Sequence, residues 1–296
     1  MTAQLPQFTL RDLLDAGVHF GHRTHRWNPK MRHLIFGQRN GIHILDLRQT
    51  VPALYQALAC LQKNAASGGR VLFVGSKKQA QDIVVETAGR TGQYYVNHRW
   101  LGGMLTNWKT ISNSIKRMKQ LEEMVITNDT NKYTKKELLD AQRESVKLKT
   151  VLGGIQSMPG LPDVVVVVDT NRENIAIEEA SKLGIPVIAM LDSNSNPDGI
   201  QYGFAGNDDS TRSLRLYFKL FAEAILAGAA TRPASSKAEV EAKDQAIQAS
   251  RKTVVKLSAK ASKAAEKEDA PEVTTVVAVT KKQATKAKAV AAAAAE

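Results

Sequence analysis

A single cysteine, Cys60, excludes an internal disulfide framework and suits a reducing compartment. It lies in the helix-like stretch VPALYQALACLQ near Leu54, Ala57 and Leu61, and no histidine lies close in sequence, so we read it as a core residue rather than a reactive thiol. No apolar run approaches the length of a membrane span, and the first residues lack the basic-then-apolar pattern of a secretory leader. A cytoplasmic location and no membrane partner are therefore expected. Nucleotide signatures are also missing: Arg70 stands where GxxxxGK(S/T) would need its first glycine, and GxGxxG does not occur. From Ala230 onward there is no aromatic residue. Such a segment buries too little apolar surface to offset its chain entropy, so residues 230–296 are expected to be a disordered tail rich in alanine and lysine.

What is abundant is positive charge, unevenly placed. Residues 1–150 hold 23 basic against 11 acidic side chains, a net +12; residues 151–230 carry −5 and residues 231–296 carry +5. A polyanion meeting the first half would release its condensed counterions as lysines and arginines replace them. The acidic middle would face away or meet a protein.

Between Thr50 and Gly228, strand-like apolar runs alternate with helix-like segments. Strands are predicted at Val71–Val74, Tyr94–Val96, Val164–Val168 and Val187–Leu191, with further ones at His33–Phe36 and Ile42–Leu45. Five consecutive valines at 164–168 cannot present a polar face, so that strand should be covered on both sides, as a central parallel strand is. Helices are predicted at Pro52–Ala66, Lys78–Ala88, Arg172–Leu183 and Asp208–Leu226. The expected fold is α/β: a three-layer, doubly wound, mainly parallel sheet of flavodoxin- or Rossmann-like topology.

Residues 107–150 break that rhythm. Leu105, Trp108, Ile111, Ile115, Met118, Leu121 and Val125 recur at three- and four-residue steps, one stripe of a long helix. A loop follows at Thr127–Tyr133. Thr134 and Glu137 match a capping box opening a second helix with Leu138, Leu139, Val146 and Leu148. The two are expected to form an inserted antiparallel hairpin, a coiled coil with basic outer faces that include Lys132, Arg143 and Lys147. The predicted layout is a basic N-terminal segment at 1–49, an α/β domain at 50–106 and 151–229, the hairpin at 107–150, and the tail.

The densest motif is NHRWLGGMLTNWKT, residues 97–110, which has no acid, no thiol and no serine beside a base. Arg99 and Lys109 can meet phosphates, Trp100 and Trp108 offer flat faces for core packing or base stacking, and Gly102-Gly103 permits a turn or a close approach. Gly75-Ser76-Lys77-Lys78 ends a strand at an expected helix start. Two lysines there oppose the helix dipole unless an anion offsets them. RNA phosphate is the favoured occupant, with a nucleotide pocket or a solvated helix end as alternatives. Around Trp27, Asn28 and Pro29, the residues Arg23, Arg26, Lys30 and Arg32 form an irregular basic segment, and Trp27 itself either plugs the core or lies open.

Histidines 19, 22 and 25 are spaced by three, but no cysteine or nearby carboxylate completes a metal shell. Gly21 and Arg23 between them suggest a turn presenting cations, and no metal is expected. Asp163, Asp169 and Asp192 end predicted strands, where they are read as capping and turn residues; EF-hand spacing is missing after Asp192. The candidate RNA-binding set is Arg23, Arg26, Lys30, Arg32, Lys77, Lys78, Arg99, Lys109, Lys116, Arg117 and Lys119. No catalytic residue and no cofactor is assigned. A nucleotide-binding enzyme and a pure protein–protein scaffold remain as alternatives, though neither explains the cationic first half together with the hairpin.

NHRWLGGMLTNWKT, together with AGVHFGHRTHRWNPKM (16–31), VLFVGSKK (71–78), GGIQSMPGLPD (153–163) and LGIPVIAMLDSNSNPDGI (183–200), resembles the bacterial small-subunit ribosomal protein two family over roughly the first 228 residues. Asn196 departs from the acid that the family pattern places before the proline, and the tail extends beyond it. The resemblance implies a structural, non-enzymatic component of the small ribosomal subunit. Its partners would be small-subunit ribosomal RNA and neighbouring ribosomal proteins, including the large multi-domain ribosomal protein one.

Overall fold

A computed structural model describes residues 4–127 and 133–231 of the chain. Residues 232–296 of the expected tail, most of the expected loop at 127–133, and Lys132 lie outside the described residues. The chain opens with α1 (Leu10–Asp15), closed at its start by a capping box between Thr9 and Asp12. Then come β1 (Phe20–Arg23), 3-10 turns at Thr24–Arg26 and Pro29–Leu34, β2 (Ile35–Arg39) and β3 (Ile42–Leu45). These strands form an antiparallel sheet in the order β1-β3-β2. Gly21 therefore lies in a strand, not in the expected turn. A Cβ there would come within 2.9 Å of Ser193 Oγ, so only glycine lets β1 approach that loop so closely. The backbone is extended at Trp27 and Asn28, as the residue before a proline favours, and coils into a 3-10 turn from Pro29; the predicted strand at 33–36 begins two residues later.

The central body is built from α2 (Leu47–Ala66), β4 (Val71–Val74), α3 (Gln81–Thr91), β5 (Tyr94–Val96), α4 (Trp108–Thr127), α5 (Lys135–Leu152), β6 (Val164–Val167), α6 (Asn174–Lys182), β7 (Val187–Leu191), β8 (Tyr202–Ala205) and α7 (Thr211–Ala230). Its sheet is parallel throughout, in the order β5-β4-β6-β7-β8. Numbered within this sheet alone, that order is 2-1-3-4-5, which reverses direction between β4 and β6. Strand side chains alternate between two cores. Val71, Phe73, Val164, Val166, Ile188 and Phe204 face α2, α3 and α7, while Leu72, Val74, Val165, Val167 and Ala189 face α4, α6 and the segment after β5. The valine run is thus covered on both faces, as its composition requires.

Val166 is 1% exposed and paired with Phe73 on one side and Ile188 on the other. Val166→Thr keeps the shape but buries a hydroxyl with no free acceptor in a strand whose backbone groups are already paired. The expected cost is about 1–3 kcal/mol, read as a lower urea midpoint with an unchanged slope. A midpoint within error of the parent would show that this layer is not dry.

Helices α4 and α5 occupy the interval that broke the α/β rhythm. Ile111, Ile115, Met118 and Leu121 are the buried residues of α4, the stripe read from the sequence. Thr134 and Glu137 form the capping box of α5. The helices pack side by side, with Arg117 3.5 Å from Glu144 and Lys149 3.0 Å from Glu122.

Candidate nucleic-acid interface

The segment between β5 and α4 is organised by one buried carboxylate that the sequence reading did not single out. Glu179, on α6 and 5% exposed, accepts from Trp100 Nε1 (3.1 Å), Gly103 N (2.7 Å), Leu105 N (2.9 Å), Thr106 N (3.1 Å) and Thr106 Oγ1 (3.1 Å). Successive amides can converge in this way because Gly103 adopts φ +86°, the left-handed region that costs glycine nothing. Burial works against the carboxylate, but the three amides and the indole outweigh it and hold Glu179 below the usual glutamate range. Trp100 is thereby a buried anchor, closed to base stacking, and Trp108, partly buried, packs against the same core. Arg99 and Lys109, flanking this anchored stretch, are exposed.

At the point where strand order reverses, the structure corrects the reading of residues 75–78. Helix α3 begins at Gln81 after a turn, with Ala80 at its N-cap, so Lys78 does not open it. The Ser76 amide, where a phosphate was expected, donates to Glu173 (3.1 Å); Ser76 Oγ also donates to Glu173 and accepts from Arg172 Nε (2.7 Å). Glu173 is buried, and desolvation raises its pKa.

Lys77 is the second correction. Its side chain is only 11% exposed and reaches into the fold, where Nζ lies 2.8 Å from Asp208 and also contacts Asp209. Its charge is already neutralised, so it is not a free phosphate ligand. Burial opposes that ammonium, yet the two carboxylates prevail and raise its pKa. Asp208 is itself pushed up to about 7 by burial and by the neighbouring Asp192, against the pull of Lys77.

His22 joins this group from β1: Nδ1 is 3.0 Å from Asp192 and Nε2 is 3.3 Å from Asp209. The contact with Asp192 raises the His22 pKa above its ordinary value. Histidines 19 and 25 do not gather with it. The carboxylates that could complete a metal shell come from far along the chain: potential ligand atoms of His22, Asp208 and Asp209 lie within 4.8 Å of one another. One imidazole and two carboxylates suit a divalent cation. Such an ion would compete with the Lys77 ammonium for the same oxygens.

The remaining candidate cations are exposed. Lys30 is tied to Asp198 and lies 3.5 Å from Asn196, and Arg117 is paired with Glu144. Arg23, Arg26, Arg32, Lys78, Arg99, Lys109, Lys116 and Lys119 form no ion pair with another described residue. Trp27 is 40% exposed, with its ring 5.7 Å from that of His43, so it is not a core plug.

Comparison with known proteins bears on this arrangement. A family model described as ribosomal protein S2 matches residues 13–228. The small ribosomal subunit protein uS2 of Azorhizobium caulinodans is 61% identical over 224 residues, which cover 76% of this chain and 67% of the relative. That of Parvibaculum lavamentivorans is 57% identical over 238 residues, covering 80% and 94%, and that of Granulibacter bethesdensis 59% identical over 224, covering 76% and 86%. The family match spans the antiparallel sheet, the parallel sheet and the Glu179-anchored loop, and the chain belongs to the ribosomal protein S2 family.

Proposed function

We propose that this chain is a structural, non-catalytic component of the small ribosomal subunit that binds ribosomal RNA through basic surfaces, as the names of its relatives and its charge distribution suggest. One observation carries the RNA-binding part: eight exposed cations at the N-terminal sheet, beside β4, around the Glu179 loop and along α4 have no ion-pair partner among the described residues. Unpaired cations are the ones that neutralise phosphate without first giving up a carboxylate. Spread over irregular surfaces, they suit the shape of folded RNA more than its sequence. The helices within 107–150 serve as an outlying basic arm in this reading. Neighbouring ribosomal proteins, including the large multi-domain ribosomal protein one, complete the partner set in this reading.

Sedimentation tests it directly. The purified chain should rejoin small subunits from which a salt wash has removed it, and should leave again as salt rises. A chain that stays in the supernatant at low salt would end the proposal. Replacing Lys116 and Arg117 by alanine should weaken rebinding and flatten its log-log salt dependence by roughly one unit for each phosphate no longer neutralised. Arg117 should contribute the smaller share, since Glu144 already holds it. An unchanged slope would remove α4 from the interface.

A further inference from the structure

The loop that joins Arg99 to Lys109 has no regular secondary structure of its own until α4 begins at Trp108. A loop of that kind ordinarily leaves its amides to water and its ends free to move. Here a single carboxylate takes five donors from four residues between 100 and 106. Further links tighten the same stretch: Met104 N donates to Leu101 O (3.2 Å) and Asn107 N to Gly103 O (2.9 Å). The exposed members, Arg99, Leu101, Gly102, Thr106, Asn107 and Lys109, thus surround a buried anchor of Trp100, Met104 and Leu105. Amides converging in a nest of this type are suited to an anion. The anion is supplied from inside the protein, so phosphate is left to the cations on the rim.

We propose that Glu179 is the positioning residue for the RNA contacts of this loop: its carboxylate fixes the backbone from Trp100 to Thr106 and so holds Arg99 and Lys109 in place to meet phosphates. The inference rests on the RNA-binding reading given above. Glu179 is buried and touches no phosphate; it acts through the loop. Prepaying the ordering of two long cationic side chains' attachment points lowers what binding must cost, so the consequence falls on RNA affinity as well as on stability.

The test uses full-length chain and salt-washed small subunits, with a double-mutant cycle between Glu179→Gln and the pair Arg99→Ala/Lys109→Ala. In the parent, the pair should weaken rebinding by roughly tenfold and lower the salt slope by about two. Glu179→Gln should produce a similar loss, and adding the pair to it should cost less than about twofold more. Hydrogen exchange at Gly103, Leu105 and Thr106 should speed up in Glu179→Gln while the sheet amides stay protected. Val166→Thr serves as the control for lost stability and should leave the salt slope unchanged. Should Glu179→Gln fold poorly, Trp100→Phe deletes only the indole donor and should give an intermediate fall in slope. Full additivity between Glu179→Gln and the pair, or an unchanged slope in Trp100→Phe, would overturn the positioning role. Parental binding by Arg99→Ala/Lys109→Ala would instead remove the loop from the RNA face altogether.

Discussion

Lys77→Met should cost the fold about 1–3 kcal/mol near pH 8 and leave the salt dependence of subunit binding untouched. The magnitude follows from geometry. Asp208 is 1% exposed and Asp209 is beside it, and the ammonium between them is their nearest positive charge. Removing one partner of a buried pair leaves an uncompensated charge, which costs far more than the pair itself contributes. The pH dependence supplies the sharper signature. Asp208 already titrates near 7 rather than at its ordinary 3.8. An acid whose folded pKa lies above its unfolded value withdraws stability as pH rises from the lower value to the upper. Without Lys77 the upper limit moves higher, so the gap between variant and parent should widen as pH rises above about 7. Lys77→Met/Asp208→Asn should recover most of the loss, because a neutral amide needs no counter-charge. Denaturant titrations at several pH values decide the matter. A stable Lys77→Met with a flattened salt slope would return Lys77 to the RNA-facing set.

Lys77 also illustrates what the sequence could and could not convey. The parallel sheet was legible because four apolar runs state their own burial: VLFV and VVVVV have no polar face to offer solvent. The α4 stripe and the capping box at Thr134 were equally local, since a three-to-four-residue period and a four-residue spacing are complete within one element. Strands β1 and β8 were not read. Each is short and half-buried: FGHR and YGFA contain glycine and little branched apolar surface, so their strand character comes from pairing with β3 and β7.

The candidate site divides in the same way. Exposed cations such as Arg99 and Lys116 could be placed because solvated charge is the ordinary state of lysine and arginine. The buried acids could not, since their partners are remote: Glu179 meets residues more than seventy positions away, and Glu173 meets Ser76 97 positions away. The one local hint was a glycine pair in a loop rich in free amides. These two glutamates also bear on the nucleotide-binding alternative. At the place where the strand order reverses, the Ser76 amide that could greet a phosphate already has a carboxylate, and the amides at 103–106 have another. A nucleotide would have to displace a hydrogen-bonded internal anion before making its own contacts. The same fold plan that elsewhere cradles phosphates is here closed by its own side chains.

Asp192→Asn should detach the N-terminal sheet from the body at a cost of about 3 kcal/mol below about pH 6.5, a difference that shrinks as the solution is made alkaline. Asp192 is 1% exposed and sits beneath His22, the one protonatable side chain that β1 directs onto it. The backbone contacts around it are His22 N to Ser193 Oγ (2.9 Å), Asn28 N to Ser193 O (2.8 Å), and Asn207 N to Val18 O (3.2 Å). His22 Nε2 to Asp209, Lys30 to Asp198 and Asn207 Nδ2 to Gly17 O (3.1 Å) tie the segment as well, but those ion pairs involve exposed carboxylates, whereas the pair on Asp192 is buried and losing one member of it is costly. Its pH window follows from the direction of the shift. A histidine whose folded pKa lies above 6.5 contributes fully below 6.5 and loses its contribution as pH rises through the folded value. The neutral amide in Asp192→Asn would remove that contribution and, by lifting a negative charge from beside Asp208, let Asp208 ionise more easily, which returns part of the loss. Hydrogen exchange should show amides of residues 20–45 losing protection in the variant well before those of β4, β6 and β7. If protection of β1 and β3 in Asp192→Asn matched the parent at about pH 6, where His22 is charged, the sheet would be held by its other contacts and the buried pair would be dispensable.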